Sequence, residues 1–459
     1  MLTQLANKRG YVEMIFIGIV ILFAALILGI PVCYAFLASA MFFVIMGDVN
    51  PSFMIPYGID KISTTVLFAI PLFVIAGGLM EKGNIADKMI GLVENFVGRI
   101  RGGLGIITTV SCAIFGSVTG SACATLTCIG SIMFPRFERA NYPKGHCAAL
   151  LASTAVLGML IPPSSIMILY SWTGGQSVLA SFLATIIPGI ILTTLLAVLN
   201  CYMLRNNKNI IVVSDKDIED KEKDFYRVVP KQRKKFSFFH TKFGEAVPAL
   251  FMPVIVLGGI YSGIMTPTEA AGVSVIYALP VGMYIYKGLT VRGLYNTMIE
   301  AVTATGVIMI MLFACSVLSR IYIMEDVPQL LLKILYSIST NKYVILFMLN
   351  IFMIVLGMLM DDCSACVLAT PILIPIIQEI GVNPVHFAAI VAVNLGLGNI
   401  TPPCAPLLYL SSSISKAPIN EMLRPTLCFI VFGWIPVLIV TTYVPALSLF
   451  LPRLILGVN

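Results

Sequence analysis

The chain has 459 residues, 58% of them hydrophobic and 11% charged, with a formal net charge of +7 and a mean hydropathy of +0.97. A typical soluble protein carries about 25% charged residues, so a water-soluble fold is excluded. Membrane proteins concentrate Lys and Arg in cytoplasmic loops, so the positive balance does not imply nucleic acid.

A helix needs about 20 apolar residues to cross a bilayer, and such runs follow one another along nearly the whole chain, with one long polar interruption. They are rich in Leu, Ile, Met and Ala and lack the short alternating segments of a membrane β-barrel. Helices are the spanning element that remains. The expected class is an all-α polytopic membrane protein that crosses the bilayer several times.

The first apolar stretch, 12–46, continues beyond signal-peptide length without a cleavage site, so the N-terminus is expected to be retained. Lys8 and Arg9 favour a cytoplasmic N-terminus, while an odd number of crossings before the central loop favours the opposite side. The run 102–134 is interrupted by Gly116, Ser117, Thr119, Gly120 and Ser121. It is too long for one span and too polar at its centre, which reads as a re-entrant helical hairpin. The run 146–170 is interrupted by Gly158, Pro162, Pro163, Ser164 and Ser165. Proline lacks an amide donor and clashes with the preceding turn, so this helix is expected to open at mid-depth.

Residues 205–243 form the polar interruption. An acidic part, with Asp215, Asp217, Glu219, Asp220, Glu222 and Asp224, precedes a basic and aromatic part from Arg227 to Phe239. The basic part suits an interfacial helix on an anionic leaflet, and the positive-inside bias places the loop in the cytoplasm.

An internal repeat spans this loop. Adding 240 to Cys123, Pro135, His146, Ala148, Ala149, Gly158, Pro162 and Pro163 lands on Cys363, Pro375, His386, Ala388, Ala389, Gly398, Pro402 and Pro403. Leu67-Phe68-Ala69 recurs as Leu312-Phe313-Ala314 with a slightly larger offset. The chain has only three histidines, so aligning one with a glycine and a Pro-Pro pair is a specific match. The organisation expected is a first membrane repeat over 1–203, a cytoplasmic connection over 204–243 and a second membrane repeat over 244–459. Two homologous membrane halves commonly form an inverted-repeat transporter with its site between them.

The second half reproduces both interruptions. Gly357, Asp361 and Asp362 occupy the place of the first hairpin tip, and Gly396, Gly398, Asn399, Thr401, Pro402 and Pro403 that of the broken helix. Unpaired backbone groups at membrane depth survive only beside protein or a watery cavity. Freed helix N-termini attract a carboxylate, and freed carbonyls, with Ser, Thr, Asn and Asp oxygens, can coordinate sodium. Glycine and proline also serve packing in membrane helices, but their duplication at a fixed offset points to a site.

Asp361 and Asp362 are the main charges inside an apolar region, a pattern of functional sites, although a hairpin mouth in water would also accommodate them. An intramembrane aspartyl protease would need two carboxylates sharing a proton from separate helices. Its GxGD element is missing, because Gly396-Leu397-Gly398 is followed by Asn399. No enzyme activity is expected. His146 and His386 start matched helices and suit hydrogen bonding rather than proton relay. The eleven cysteines lie mostly in apolar runs and read as packing residues. Cys363 and Cys366 form a CxxC with no second pair. Arg320, Glu325 and Asp326 read as loop-edge charges.

The stretch GGIYSGIMTPTEAAG (258–272), with the breaks at 158–163 and 398–403, resembles the large membrane subunit of tripartite ATP-independent periplasmic (TRAP) transporters, DctM-like or SiaM-like. The similarity runs from about residue 14 onward. It implies an elevator-type fold of the ion-transporter-superfamily kind, with scaffold and transport domains drawn from both repeats, and dependence on sodium rather than ATP. It also implies a periplasmic binding protein that delivers an organic acid and a separate small four-helix membrane subunit, with membrane lipid around the complex. By the same resemblance the tips fall on 117–121 and 357–362, and the breaks on 158–165 and 396–403. The long insert 205–243 and the cysteines Cys123 and Cys128 depart from the family pattern. A sodium/dicarboxylate symporter of related fold, working without a binding protein, is the alternative; the presence or absence of neighbouring genes for the two partners separates the readings.

Overall fold

The computed structural model describes residues 2–47, 49–97, 100, 102–207, 210 and 242–457. Nearly all of them are helical, and no strand occurs among the described residues. Among the described residues, seven helices are long and apolar enough to cross a membrane, or eight if one bent pair counts as a single span. The connecting segment 204–243 and its expected interfacial helix fall almost entirely outside the described residues.

The first apolar stretch divides into α1 (Leu2–Ile27) and α2 (Val32–Met46). Gly29 at φ +78 makes the turn between them, a left-handed conformation that glycine adopts without a Cβ penalty. Pro31 stands just before α2, where its fixed φ and missing donor are tolerated. The Ser39 hydroxyl then donates to the Gly18 carbonyl at 2.9 Å, tying the two helices together.

The remaining elements of the first half are α3 (Met54–Ile62), α4 (Ala69–Lys82), α5 (Ile85–Val97), α6 (Gly103–Thr119) and α7 (Ala122–Arg139). They are followed by α8 (Lys144–Ala155), α9 (Leu157–Leu160), α10 (Ser165–Gly174) and α11 (Val178–Leu204). The second half contains α12 (Lys242–Tyr261), α13 (Pro267–Pro280), α14 (Val291–Met324), α15 (Val327–Ile338), α16 (Lys342–Leu359) and α17 (Asp362–Glu379). It ends with α18 (Pro384–Gly398), α19 (Pro406–Ser415), α20 (Ile419–Phe429), α21 (Ile435–Tyr443) and α22 (Pro445–Leu456).

The 258–272 motif forms the corner between α12 and α13. Gly263 turns the chain at φ +73. The Thr266 hydroxyl accepts the Glu269 amide at 3.3 Å, and Glu269 accepts the Thr266 amide at 2.8 Å. This reciprocal capping satisfies two donors that a helix start leaves free. Pro267 sits at the first helical position, where no amide is required.

The two halves interdigitate. Helix α13 packs along α4, α10 along α17, α19 against α7 and α8, and α20 against α8. One continuous apolar core runs through both halves. Large apolar side chains such as Tyr284, Val307 and Phe450 are exposed on the outer faces of their helices, as expected where lipid or a membrane partner replaces water.

Buried polar groups sit in matched positions near the starts of α8 and α18. His146 Nε2 lies 3.0 Å from Asn200 Oδ1, and the Asn200 amide donates to the Gly102 carbonyl at 2.9 Å. His386 Nε2 lies 3.3 Å from the Thr442 carbonyl. Both rings are buried between helices, and each pairs its Nε2, while His386 Nδ1 has no partner among the described residues.

Candidate ion and solute site

The first interruption is shorter than its residue pattern suggests. Gly116, Ser117 and Thr119 stay in α6, and the helix ends only at Gly120, whose φ of +60 gives a left-handed cap. Its amide donates to the Gly116 carbonyl at 2.8 Å. Ser121 is extended and caps α7, and α6 and α7 pack against each other. Beneath the turn, Thr119 and Thr125 hydroxyls lie 3.1 Å apart, and Thr125 also donates to the Ser121 carbonyl at 2.7 Å. Ser117 spends its hydroxyl on the Ile114 carbonyl.

The first broken helix lies directly against this tip. The pair Lys144–Leu160 and Ser165–Gly174 is bent by 44°. Ile161 to Ser164 are non-helical, the Pro162-Pro163 peptide is cis, and α10 restarts at Ser165. The Ser165 amide donates to the Gly120 carbonyl at 3.3 Å. A Cβ on Gly120 would lie 2.9 Å from the Pro163 carbonyl oxygen. Gly116 meets Gly158 so closely that a Cβ on Gly158 would lie 3.0 Å from the Gly116 Cα.

The second half repeats the plan with different chemistry. Helix α16 contains Gly357 and runs to Leu359. Asp361 then caps α17, its carboxylate accepting both the amide and the hydroxyl of Ser364. Asp362 opens the helix itself, where a negative charge favours the N-terminal dipole. Asp361 thus occupies the place of Ser121, 240 positions on, and adds a charge to the cap. Gly357 meets Gly398 as Gly116 meets Gly158: a Cβ on Gly398 would lie 2.7 Å from the Gly357 Cα.

The second break is displaced towards the C-terminus. Gly396 and Gly398 remain in α18, and the non-helical stretch runs from Asn399 to Ala405, with the Pro402-Pro403 peptide cis. Thr401 donates to the Leu397 carbonyl at 2.6 Å. Ala405 is a buried non-glycine residue at φ +33, a left-handed geometry that costs about 1–2 kcal/mol. Pro403 and Cys404 are exposed at the rim.

Each break presents one buried oxygen without a partner among the described residues: Ser164 Oγ in the first and Asn399 Oδ1 in the second. They are two of eleven buried side-chain atoms without a partner among the described residues; what sets these two apart is their place in unwound backbone, where oxygen donors suit a hard cation. The two tips share one neighbourhood, Cys123 on the first lying within Coulombic range of Asp361, Asp362 and Cys363 on the second. Asp361, Asp362 and Cys363 have ligand atoms within 4.8 Å of one another. Cys366 points elsewhere, donating to the Ile166 carbonyl at 3.6 Å, so the CxxC does not converge on one point.

Sequence reasoning missed a cavity of about 90 Å³ further along α10 and α17, lined by Tyr57, Lys61, Trp172, Thr173, Ser316 and Ser319, with Val367 and Pro371 of α17. Two cations beside apolar helices, Lys61 and Arg320, were the available signal. Lys61 lies on the short helix α3, and Arg320 reads as a loop-edge charge.

Comparison with known proteins agrees with this architecture. Residues 19–447 match the family described as the tripartite ATP-independent periplasmic transporter, DctM component. The sialic acid TRAP transporter large permease SiaM of Vibrio cholerae is 31% identical over 94% of this chain and 96% of its own length. The C4-dicarboxylate TRAP transporter large permease DctM of Rhodobacter capsulatus is 32% identical over 87% and 88%. The isethionate TRAP transporter permease DctMQ of Oleidesulfovibrio alaskensis is 31% identical over 93% of this chain, which spans only 64% of that relative's length. The crystal structure of the Alcanivorax borkumensis YdaH transporter shares the fold, with a TM-score of 0.56 at 14% identity over 84% of this chain and 86% of that one. With the duplicated tips and breaks set in a helical membrane core, the chain belongs to the DctM family, the large membrane permease component of TRAP transporters.

Proposed function

We propose that the chain imports an organic acid by sodium-coupled secondary transport, receiving it from a periplasmic binding protein and working beside a small four-helix membrane subunit. The observation that carries this reading is the duplicated contact of tip and break, each break holding an orphaned oxygen in its non-helical stretch. Ser164 Oγ with the carbonyls near Gly120 would hold one sodium ion, and Asn399 Oδ1 with carbonyls of 399–405 a second. Bound sodium would supply the positive charge that draws the acid in. This chain's residues contribute the rest: the Gly116–Gly158 and Gly357–Gly398 contacts lock each tip to its break, so ion binding on either element stiffens both.

The relatives named for sialic acid, C4-dicarboxylates and isethionate all take organic acids, which supports that substrate class. The greater length of the DctMQ relative supports a further membrane subunit as partner. In the elevator reading, the tips and breaks move as one body against a scaffold that includes the α4–α13 pair.

Proteoliposomes containing this chain, its small subunit and a loaded binding protein should take up the acid only with an inward sodium gradient. Uptake that is unchanged when potassium replaces sodium would reject the coupling.

A further inference from the structure

The cavity lies where four helices meet: α3, the end of α10 away from its break, α14 and α17. Its polar chemistry is one-sided. The Lys61 ammonium stands 5.5 Å from the Tyr57 ring centroid, and the Arg320 guanidinium stands 5.7 Å from the same ring. Among the described residues neither cation is within 4.0 Å of a carboxylate. Asp60, next to Lys61, is exposed. Ser316, 6% exposed, lines the cavity with a hydroxyl that has no partner among the described residues.

Cations beside a membrane core are costly unless neutralised, and a buried hydroxyl without a partner is costly as well. A carboxylate answers both needs, accepting a hydrogen bond from Ser316 while it pairs with Lys61. Roughly 10–15 Å³ of such space holds a water molecule, so the cavity has room for the head of a small acid. We propose that this cavity is the carboxylate subsite of the transported acid, with Lys61 and Ser316 contacting the carboxylate and Arg320 at the rim. The proposal rests on the reading of the chain as an organic-acid carrier.

The placement also links acid to ion. Helix α10 starts at the Ser164 break and α17 at the Asp361 tip, and both helices continue into walls of the cavity. An ion ordering the helix starts and an acid ordering their sides act on the same two rods. Such coupling is reciprocal, so each ligand tightens the other.

The test is thermal unfolding of the chain with its small subunit in nanodiscs, titrated with succinate, pyruvate or N-acetylneuraminate, in sodium and in choline buffer. At least one acid should stabilise the native protein. Lys61→Gln and Ser316→Ala should weaken its apparent Kd tenfold or more while leaving the acid-free melting temperature at or above the native value, since each removes an uncompensated polar group, and Lys61→Arg should restore most of the response. Unchanged affinity in both Lys61→Gln and Ser316→Ala overturns the subsite, as does the absence of any response to millimolar acid. Binding that depends on Lys61 but is equal in sodium and choline upholds the subsite and removes the sodium coupling.

Discussion

Asn399 donates its side-chain amide to the Met159 sulfur at 3.9 Å, and these two residues stand 240 positions apart, the spacing that relates the two repeats. A residue that touches its own repeat equivalent lies on the axis between the repeats. Val156 and Gly396, also 240 apart, meet in the same region: a Cβ on Gly396 would lie 2.6 Å from a Val156 methyl. The two breaks therefore adjoin at a local pseudo-twofold.

Asn399→Leu keeps the branched outline of the side chain, at a larger volume, while removing the amide oxygen that has no partner among the described residues. The permease is expected to assemble normally and to need at least tenfold more sodium for half-maximal uptake. Sodium titration of uptake in proteoliposomes checks this; an unchanged half-saturation would remove Asn399 from the ion site.

Gly398→Ala places a methyl 2.7 Å from the backbone of Gly357, which cannot swing aside as a side chain could. Overpacking of this kind costs about 1–3 kcal/mol, so the variant should melt lower in detergent. Gly306→Ala is the control, because a Cβ there meets nothing within 4 Å in the middle of α14. It should stabilise by about 0.5–1 kcal/mol. Equal effects at the two positions would contradict the close approach.

Asp361→Asn keeps one side-chain oxygen to accept the Ser364 amide, replaces the oxygen that accepts the Ser364 hydroxyl by a donor NH2, and removes the charge. Asp361→Ala removes both oxygens and should cost about 1 kcal/mol through loss of the cap. The asparagine variant should therefore unfold like the native protein and yet show weaker sodium dependence. Normal transport in both variants would reduce Asp361 to a cap.

Thr266→Ala should destabilise the α12–α13 corner by about 0.5–2 kcal/mol, the usual value of a lost helix cap. Amide exchange should accelerate in the first turn of α13 and stay unchanged in α17. Global unfolding with no local acceleration would assign the motif a role outside the corner.

Much of this architecture was legible without coordinates. Membrane helices follow from the length of apolar runs, and interruptions follow from the local backbone chemistry of Gly120, Pro162-Pro163 and Pro402-Pro403. Boundaries were less accessible: Gly116 and Gly398 looked like parts of the interruptions, but each lies inside a helix and serves a backbone contact instead. Glycine has no side chain to announce which of these two roles it plays.

Helical character, the internal repeat and the pairing of one tip with one break in each half are written in the order of residues, because hydrophobic length and proline chemistry act locally. Tertiary structure alone decided that Met159 meets Asn399, and that Lys61, Thr173 and Ser316 surround one cavity. Those encounters depend on how helices far apart in the chain pack, as when Cys366 reaches the carbonyl of Ile166 across 200 positions. No local propensity encodes a contact of that range; it follows from filling one core with both halves at once.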